Sequence, residues 1–131
     1  MIRVHSSLDQ ETERFITEVI DCGFVIHRDV GPGYMEPLYA NAMSVELAAR
    51  RIPHEREKVV IVKYRDTSVG SHRLDFVIRN CIIIELKAVR MLEPVHSAQI
   101  MAYMKASKIR VGLLMNLCSG TFKEGIKRIV L

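Results

Sequence analysis

Three charged residues stand inside strongly apolar runs. Asp75 interrupts Leu74-Asp75-Phe76-Val77-Ile78, and Glu85 and Lys87 close Ile82-Ile83-Ile84-Glu85-Leu86-Lys87. Charges in such surroundings need a partner or a task, because burying an unpaired ion is costly. The even-numbered residues Leu74, Phe76, Ile78, Ile82, Ile84 and Leu86 are all apolar. Side chains alternate faces along a strand, so this spacing predicts a hairpin with those residues on one buried face. Even positions must then pair with even, which requires an odd loop. Arg79-Asn80-Cys81 supplies it, with Asn80 suited to a left-handed position. That register sets Asp75 opposite Glu85 and Arg73 opposite Lys87, on the face away from the apolar layer and partly covered by Val77 and Ile83. A two-residue loop would put the carboxylates on opposite faces.

Carboxylates one strand apart repel unless a cation lies between them or one stays protonated. Oxygen donors, with no cysteine and no His-x-His spacing nearby, favour Mg²⁺ or Mn²⁺ over Zn²⁺. Lys87 points the same way and could position or deprotonate a metal-activated water. The competing reading of a bare D…E-x-K pattern is a cross-strand ion cluster on an exposed sheet. Other chemistries find no support. His5, His27, His54 and His72 show no ligand spacing and give no support for a hydrolytic triad. Gly31-Pro32-Gly33 follows a helix and lacks the G-x-G-x-x-G pattern. Aromatics make up 6% with no Trp, so no ladder for base stacking is visible.

The elements that must carry these residues follow from periodicity. Phe15, Ile16, Val19, Ile20 and Phe24 predict a helix over Leu8 to Val30, opened by a capping box at Ser7-Leu8-Asp9-Gln10 and stopped by Gly31-Pro32-Gly33. Met35, Leu38, Ala42, Val45 and Ala49 predict a second helix over Tyr34 to Arg51, its stripe widened by Tyr39, Ala40, Met43 and Leu47, with Pro37 in the first turn. A strand is expected at Val59–Tyr64, a turn region at Asp66–Ser71, and the hairpin strands at His72–Ile78 and Ile82–Ala88. A third helix fits Pro94–Ser107, with Val95, Ala98 and Ala102 as its apolar stripe. Val111–Asn116 reads as a strand, Cys118-Ser119-Gly120 as a loop and Gly125–Leu131 as an edge strand. The order α-α-β-β-β-α-β-β implies one α/β domain over 1–131 with a mixed sheet of about five strands flanked by helices.

Bulk properties agree. The chain has 131 residues, 49% hydrophobic and 26% charged, enough for one domain with a core. No apolar run is long enough to span a bilayer, so no membrane partner is expected. The N-terminus lacks a signal-peptide pattern. Cys22, Cys81 and Cys118 are odd in number and widely spaced, which suits free thiols in a cytoplasmic setting. The net charge of +4 is uneven: residues 94–131 carry Lys105, Lys108, Arg110, Lys123, Lys127 and Arg128 against Glu124 alone. A basic end of this kind suits a polyanion such as nucleic acid, and equally a solvated face.

The motifs together resemble the PD-(D/E)xK nuclease superfamily and, within it, the small family named for its G-x-x-E-x-x-Y motif. Gly33-Tyr34-Met35-Glu36-Pro37-Leu38-Tyr39 carries the name-giving motif, Arg73-Leu74-Asp75 and Glu85-Leu86-Lys87 the nuclease signatures, and His96-Ser97-Ala98-Gln99 through Tyr103 the Q-x-x-x-Y helix. Gly112-Leu113-Leu114-Met115-Asn116 and Gly125-Ile126-Lys127-Arg128 match the closing strands. Leucine replaces the proline before Asp75. The resemblance implies a restriction-endonuclease-like core and a metal-dependent phosphodiesterase. Asp75, Glu85 and the Leu86 carbonyl would hold Mg²⁺ or Mn²⁺, Glu36 would assist, Lys87 would handle the attacking water, and Gln99 and Tyr103 would support the site. Tyr39 reads as core with its hydroxyl satisfied. The alternatives are a catalytically silent module of the same fold that binds nucleic acid or protein, and an interaction subunit that forms a homodimer through its first helices or an edge strand.

Overall fold

The computed structural model describes residues 8–131. Helix α1 (Gln10–Asp29) is capped by Asp9, whose carboxylate accepts from the Thr12 N–H at 2.6 Å. Ser7, expected to begin the cap, lies outside the described residues. α1 buries Ile16, Val19, Cys22 and Ile26, and Phe24 stays half exposed with its ring edge-on to Phe122. Gly31 and Gly33 then turn the chain at φ of 77° and 115°, a region that strains any side chain.

Helix α2 (Glu36–Ala49) corrects the expected stripe. Tyr39, Met43 and Leu47 face the core, whereas Met35 is 81% and Val45 69% exposed. The helix is apolar almost all round, so periodicity does not choose a face. Tyr39 does, because a buried hydroxyl must find partners. It donates to the Gly31 carbonyl at 2.7 Å and accepts from the Tyr34 N–H at 3.2 Å.

Strands β1 (His54–Tyr64), β2 (Thr67–Ile78), β3 (Ile82–Lys87), β4 (Val111–Asn116) and β5 (Ile126–Val130) form one mixed sheet in the order β1-β2-β3-β4-β5. All neighbours are antiparallel except β3 and β4, joined by the crossover helix α3 (Pro94–Ser107), as parallel pairing requires. A further short helix, α4 (Phe122–Gly125), replaces the expected start of the last strand at Gly125. β1 begins at His54 and not at Val59, and the expected turn region contracts to Arg65-Asp66, both left-handed as a two-residue hairpin turn demands. β2 pairs with β3 only from Phe76 to Ile78, so most of the β1–β2 hairpin runs past β3 as an arm.

α1 and α2 cover one face of the sheet through a cluster with Phe76, Ile78, Ile82, Ile84 and Leu86. α3 covers the other through Ile100 and Met104, packed with Val60, Val77, Ile83 and Leu114. Leu74 belongs to this second cluster, so the even-numbered layer breaks there. The break faces Glu57 of β1, which has φ 56° between the pairs Arg56↔Phe76 and Lys58↔Leu74 and turns over the alternation of faces. On α3 the expected stripe is likewise exposed. Gly112 decides its packing: a Cβ there would come within 2.6 Å of Met104 Sδ, so only glycine admits the Ile100–Met104 side so closely.

Candidate functional site

Asp75 and Glu85 meet where β2 and β3 part. The Arg79-Asn80-Cys81 loop pairs Ile78 with Ile82, and the ladder runs to Phe76↔Ile84 and ends. At the next position side chains replace the missing main-chain bonds. Asp75 Oδ2 accepts from the Leu86 N–H at 2.8 Å, and Glu85 Oε1 accepts from the Asp75 N–H at 3.1 Å. Each carboxylate thus satisfies one amide of the facing strand. Among the described residues no hydrogen bond reaches Asp75 Oδ1 or Glu85 Oε2. The expected Arg73–Lys87 opposition is absent, because Arg73 lies on the arm, paired with Val59.

Burial and like charge dominate the electrostatics. Glu85 is only 5% exposed. Desolvation and then the Asp75 charge push its carboxyl up to about 8, against the Asp75 N–H and Lys87. Asp75 is also raised by burial, opposed by the Leu86 N–H and by Lys87. With no cation between them, the two carboxyls therefore hold a proton at neutral pH. Glu36, the first residue of α2, is raised by desolvation and by Asp75 and lowered by Lys87, so it lies within electrostatic reach of both.

Lys87 is half-buried at the end of β3, and its backbone is fixed. Its carbonyl accepts from the Leu117 N–H at 2.9 Å. The fully buried Asn116 accepts from the Val89 N–H at 3.1 Å and donates to the Val89 carbonyl at 2.8 Å, clamping the chain just beyond the lysine. Sequence reasoning missed Asn116. Its signal was a lone amide closing the apolar run Val111–Met115.

From the α3 side, Tyr103 stacks on His72 with ring centroids 3.7 Å apart and planes 10° from parallel. Burial raises its hydroxyl pKa, and Glu85 and Asp75 add to the effect. His72 was also missed, since it has no ligand spacing. Its Nε2 is buried without a hydrogen-bond partner among the described residues, and burial lowers its imidazole pKa. Gln99 is exposed on α3 and makes no hydrogen bond among the described residues. His96 is a cap, accepting from the Glu93 N–H at 2.9 Å.

The basic residues do not form one track. Lys105 and Lys108 line two adjoining grooves of about 430 and 600 Å³ between β1 and α3, together with Lys58 and Lys63. Lys108 and Arg110 border a third hollow beside Cys81. Lys127 is level with Glu85, since both pair with Leu114 from opposite sides. Lys123 is exposed on α4. Arg128 is engaged by the Glu13 carboxylate through both its terminal nitrogens.

The two unengaged carboxylate oxygens and the raised proton affinities are the signature of a site short of positive charge, which a hard divalent cation would supply. Among the described residues, however, no three His, Cys, Asp or Glu side chains converge as a ligand set. Asp75 and Glu85 fit such an ion as a pair, and Glu36 stands apart from them in this conformation. A model of the PD-(D/E)XK nuclease superfamily matches residues 13–129 of the chain. No curated protein and no solved structure matches it.

Proposed function

The chain belongs to the PD-(D/E)XK nuclease superfamily, and from that premise we propose that it is a divalent-metal-dependent nuclease hydrolysing phosphodiester bonds. The five-stranded mixed sheet flanked by helices is the restriction-endonuclease-like fold of that superfamily. The observation that carries the reading is the split between β2 and β3, which holds Asp75 and Glu85 side by side with Glu85 raised to about 8. Such strain in a structural ion cluster serves no purpose, whereas a metal-binding pair needs it relieved only when loaded.

Asp75, Glu85 and the Leu86 carbonyl would hold Mg²⁺ or Mn²⁺, with Glu36 drawn in from α2. The bound ion would polarise the phosphoryl oxygen and acidify a coordinated water. Lys87, its backbone held through Leu117 and the Asn116 clamp on Val89, would orient an attacking water and offset charge on the phosphate. Tyr103 and Gln99 steady the substrate from α3, and Lys127, level with Glu85, lies where a strand leaving the site would pass. The Gly33–Glu36–Tyr39 spacing supports placement in the G-x-x-E-x-x-Y branch: Gly33 turns the loop, Tyr39 anchors it, and Glu36 is thereby presented. Free cysteines suit a cytoplasmic location.

The test is cleavage of DNA and RNA substrates with Mg²⁺ or Mn²⁺. Asp75→Asn and Lys87→Ala are each expected to lower the rate by about 10²–10⁴-fold. Cleavage that survives chelation and both substitutions would sink the assignment. Binding without turnover would instead identify a silent module.

A further inference from the structure

Four lysines from two elements face one trough. Lys58 and Lys63 come from β1, Lys105 from the last turn of α3 and Lys108 from its C-cap. The two hollows between β1 and α3 share Ile61, Ala106 and Lys108, so they are continuous, and among the described residues no acid lines either. Lys58 is engaged by the Glu55 carboxylate and by Asn80. Lys63, Lys105 and Lys108 are exposed and make no ion pair among the described residues. Lys63 also guards the β1 edge against strand pairing, but that task asks nothing of Lys105 and Lys108 on the helix.

Between the lysines the floor is aliphatic. Ile61 is 47% and Val62 37% exposed, with Ala102 and Ala106 across from them. A cationic rim over an apolar floor suits a chain that presents phosphates outward and can turn its sugars and bases inward. The bases of a duplex are paired and stacked inside it, and only an unpaired strand can lay them on a protein surface. No lining residue is aromatic, so charge and not stacking must drive the binding. The trough also leads toward the carboxylates. Val60, which lines it, pairs with His72, and His72 stacks on Tyr103 of α3. The Asp75 charge acts on both rings.

We propose, on the nuclease reading, that the β1–α3 trough docks single-stranded nucleic acid with Lys63, Lys105 and Lys108 on its phosphates, which makes an unpaired strand the substrate class.

Fluorescence anisotropy of a labelled oligothymidylate of about 12 nucleotides, titrated in chelator across a salt series, tests this without turnover. Lys63→Gln, Lys105→Gln and Lys108→Gly should each weaken binding about fourfold at 0.15 M salt, and together about 50-fold, because each lost phosphate contact takes about 0.7 from the slope of log affinity against log salt. Lys108 and Arg51 both hold left-handed backbone, at φ 60° and 55°, so glycine fits either without strain. Arg51→Gly removes the same charge away from the trough and should leave the slope unchanged. The wild type should bind the oligonucleotide more tightly than a hairpin duplex of equal length or polyglutamate of equal charge. A slope indifferent to the three lysine changes, an equal response to Arg51→Gly, a duplex or polyglutamate bound as tightly, or no binding at all would each overturn the docking site. The nuclease reading fails separately. Cleavage with a slope indifferent to the lysines removes the docking site alone, whereas lysine-dependent binding without cleavage keeps it and removes the nuclease.

Discussion

Glu85 governs how the metal-free protein responds to pH. Its carboxyl titrates near 4.5 when unfolded and about 8 when folded, so the folded state binds the extra proton in between. Stability from this group is complete below about pH 4.5 and is lost as pH rises through about 8. In chelator the melting temperature should therefore fall across that window, and Glu85→Gln should flatten the fall. Asp75→Asn should narrow it, because the Asp75 charge is the second cause of the shift. A melting temperature that instead rises from pH 5 to 8 in both the wild type and Glu85→Gln would contradict this account. Asn116 acts at the same scale through geometry. Asn116→Ala strands the Val89 and Cys118 amides and should cost about 1–3 kcal/mol in denaturant titrations, more than its small volume suggests.

Elements are set by a few contacts that outrank periodicity. Tyr39→Phe keeps the ring but removes both bonds to the Gly31–Tyr34 loop, and should cost about 1–2 kcal/mol of stability. At the β4–β5 corner, a Cβ on Gly125 would lie 2.5 Å from the Asn116 carbonyl oxygen and closer still to Ser119 Oγ. Backbone cannot yield there as a flexible side chain can, so Gly125→Ala should lose about 2–3 kcal/mol by chemical denaturation. Gly31→Ala meets nothing within 4 Å and suffers only its positive φ, so it should cost less. The hairpin was legible because alternating apolar residues and an odd loop admit one register. The faces of α2 and α3 were not, because their apolar residues surround the helix and the decision fell to a hydroxyl and to a glycine on another element.

Across the whole molecule, charge matters by location more than by sum. Arg128 is neutralised by Glu13, whereas Lys127 is exposed beside the strand that bears Leu114. In salt titrations of nucleic-acid binding, Lys127→Ala should reduce the slope of log affinity against log salt by about one unit. Arg128→Ala should leave that slope unchanged and lower stability slightly. Equal effects on the slope would show that the Glu13 pair does not persist in solution. The basic segment thus divides among the β1–α3 groove, the Cys81 end of the sheet and the outer strand β5.

By itself the sequence determined the order of the five strands and three long helices, the three-residue loop and the juxtaposition of Asp75 with Glu85, but not the short helix α4, since local periodicity and strand parity depend only on neighbours along the chain. The resemblance carried by its ordered motifs named the superfamily that the match over residues 13–129 then showed. Tertiary structure decided the rest. It ended the ladder at Phe76↔Ile84, so that carboxylates replace main-chain partners. It laid Tyr103 on His72, clamped Val89 with Asn116 and split the basic residues among separate surfaces. Each of these joins residues far apart in the chain, where packing space and hydrogen-bond satisfaction, and not spacing, select the partner.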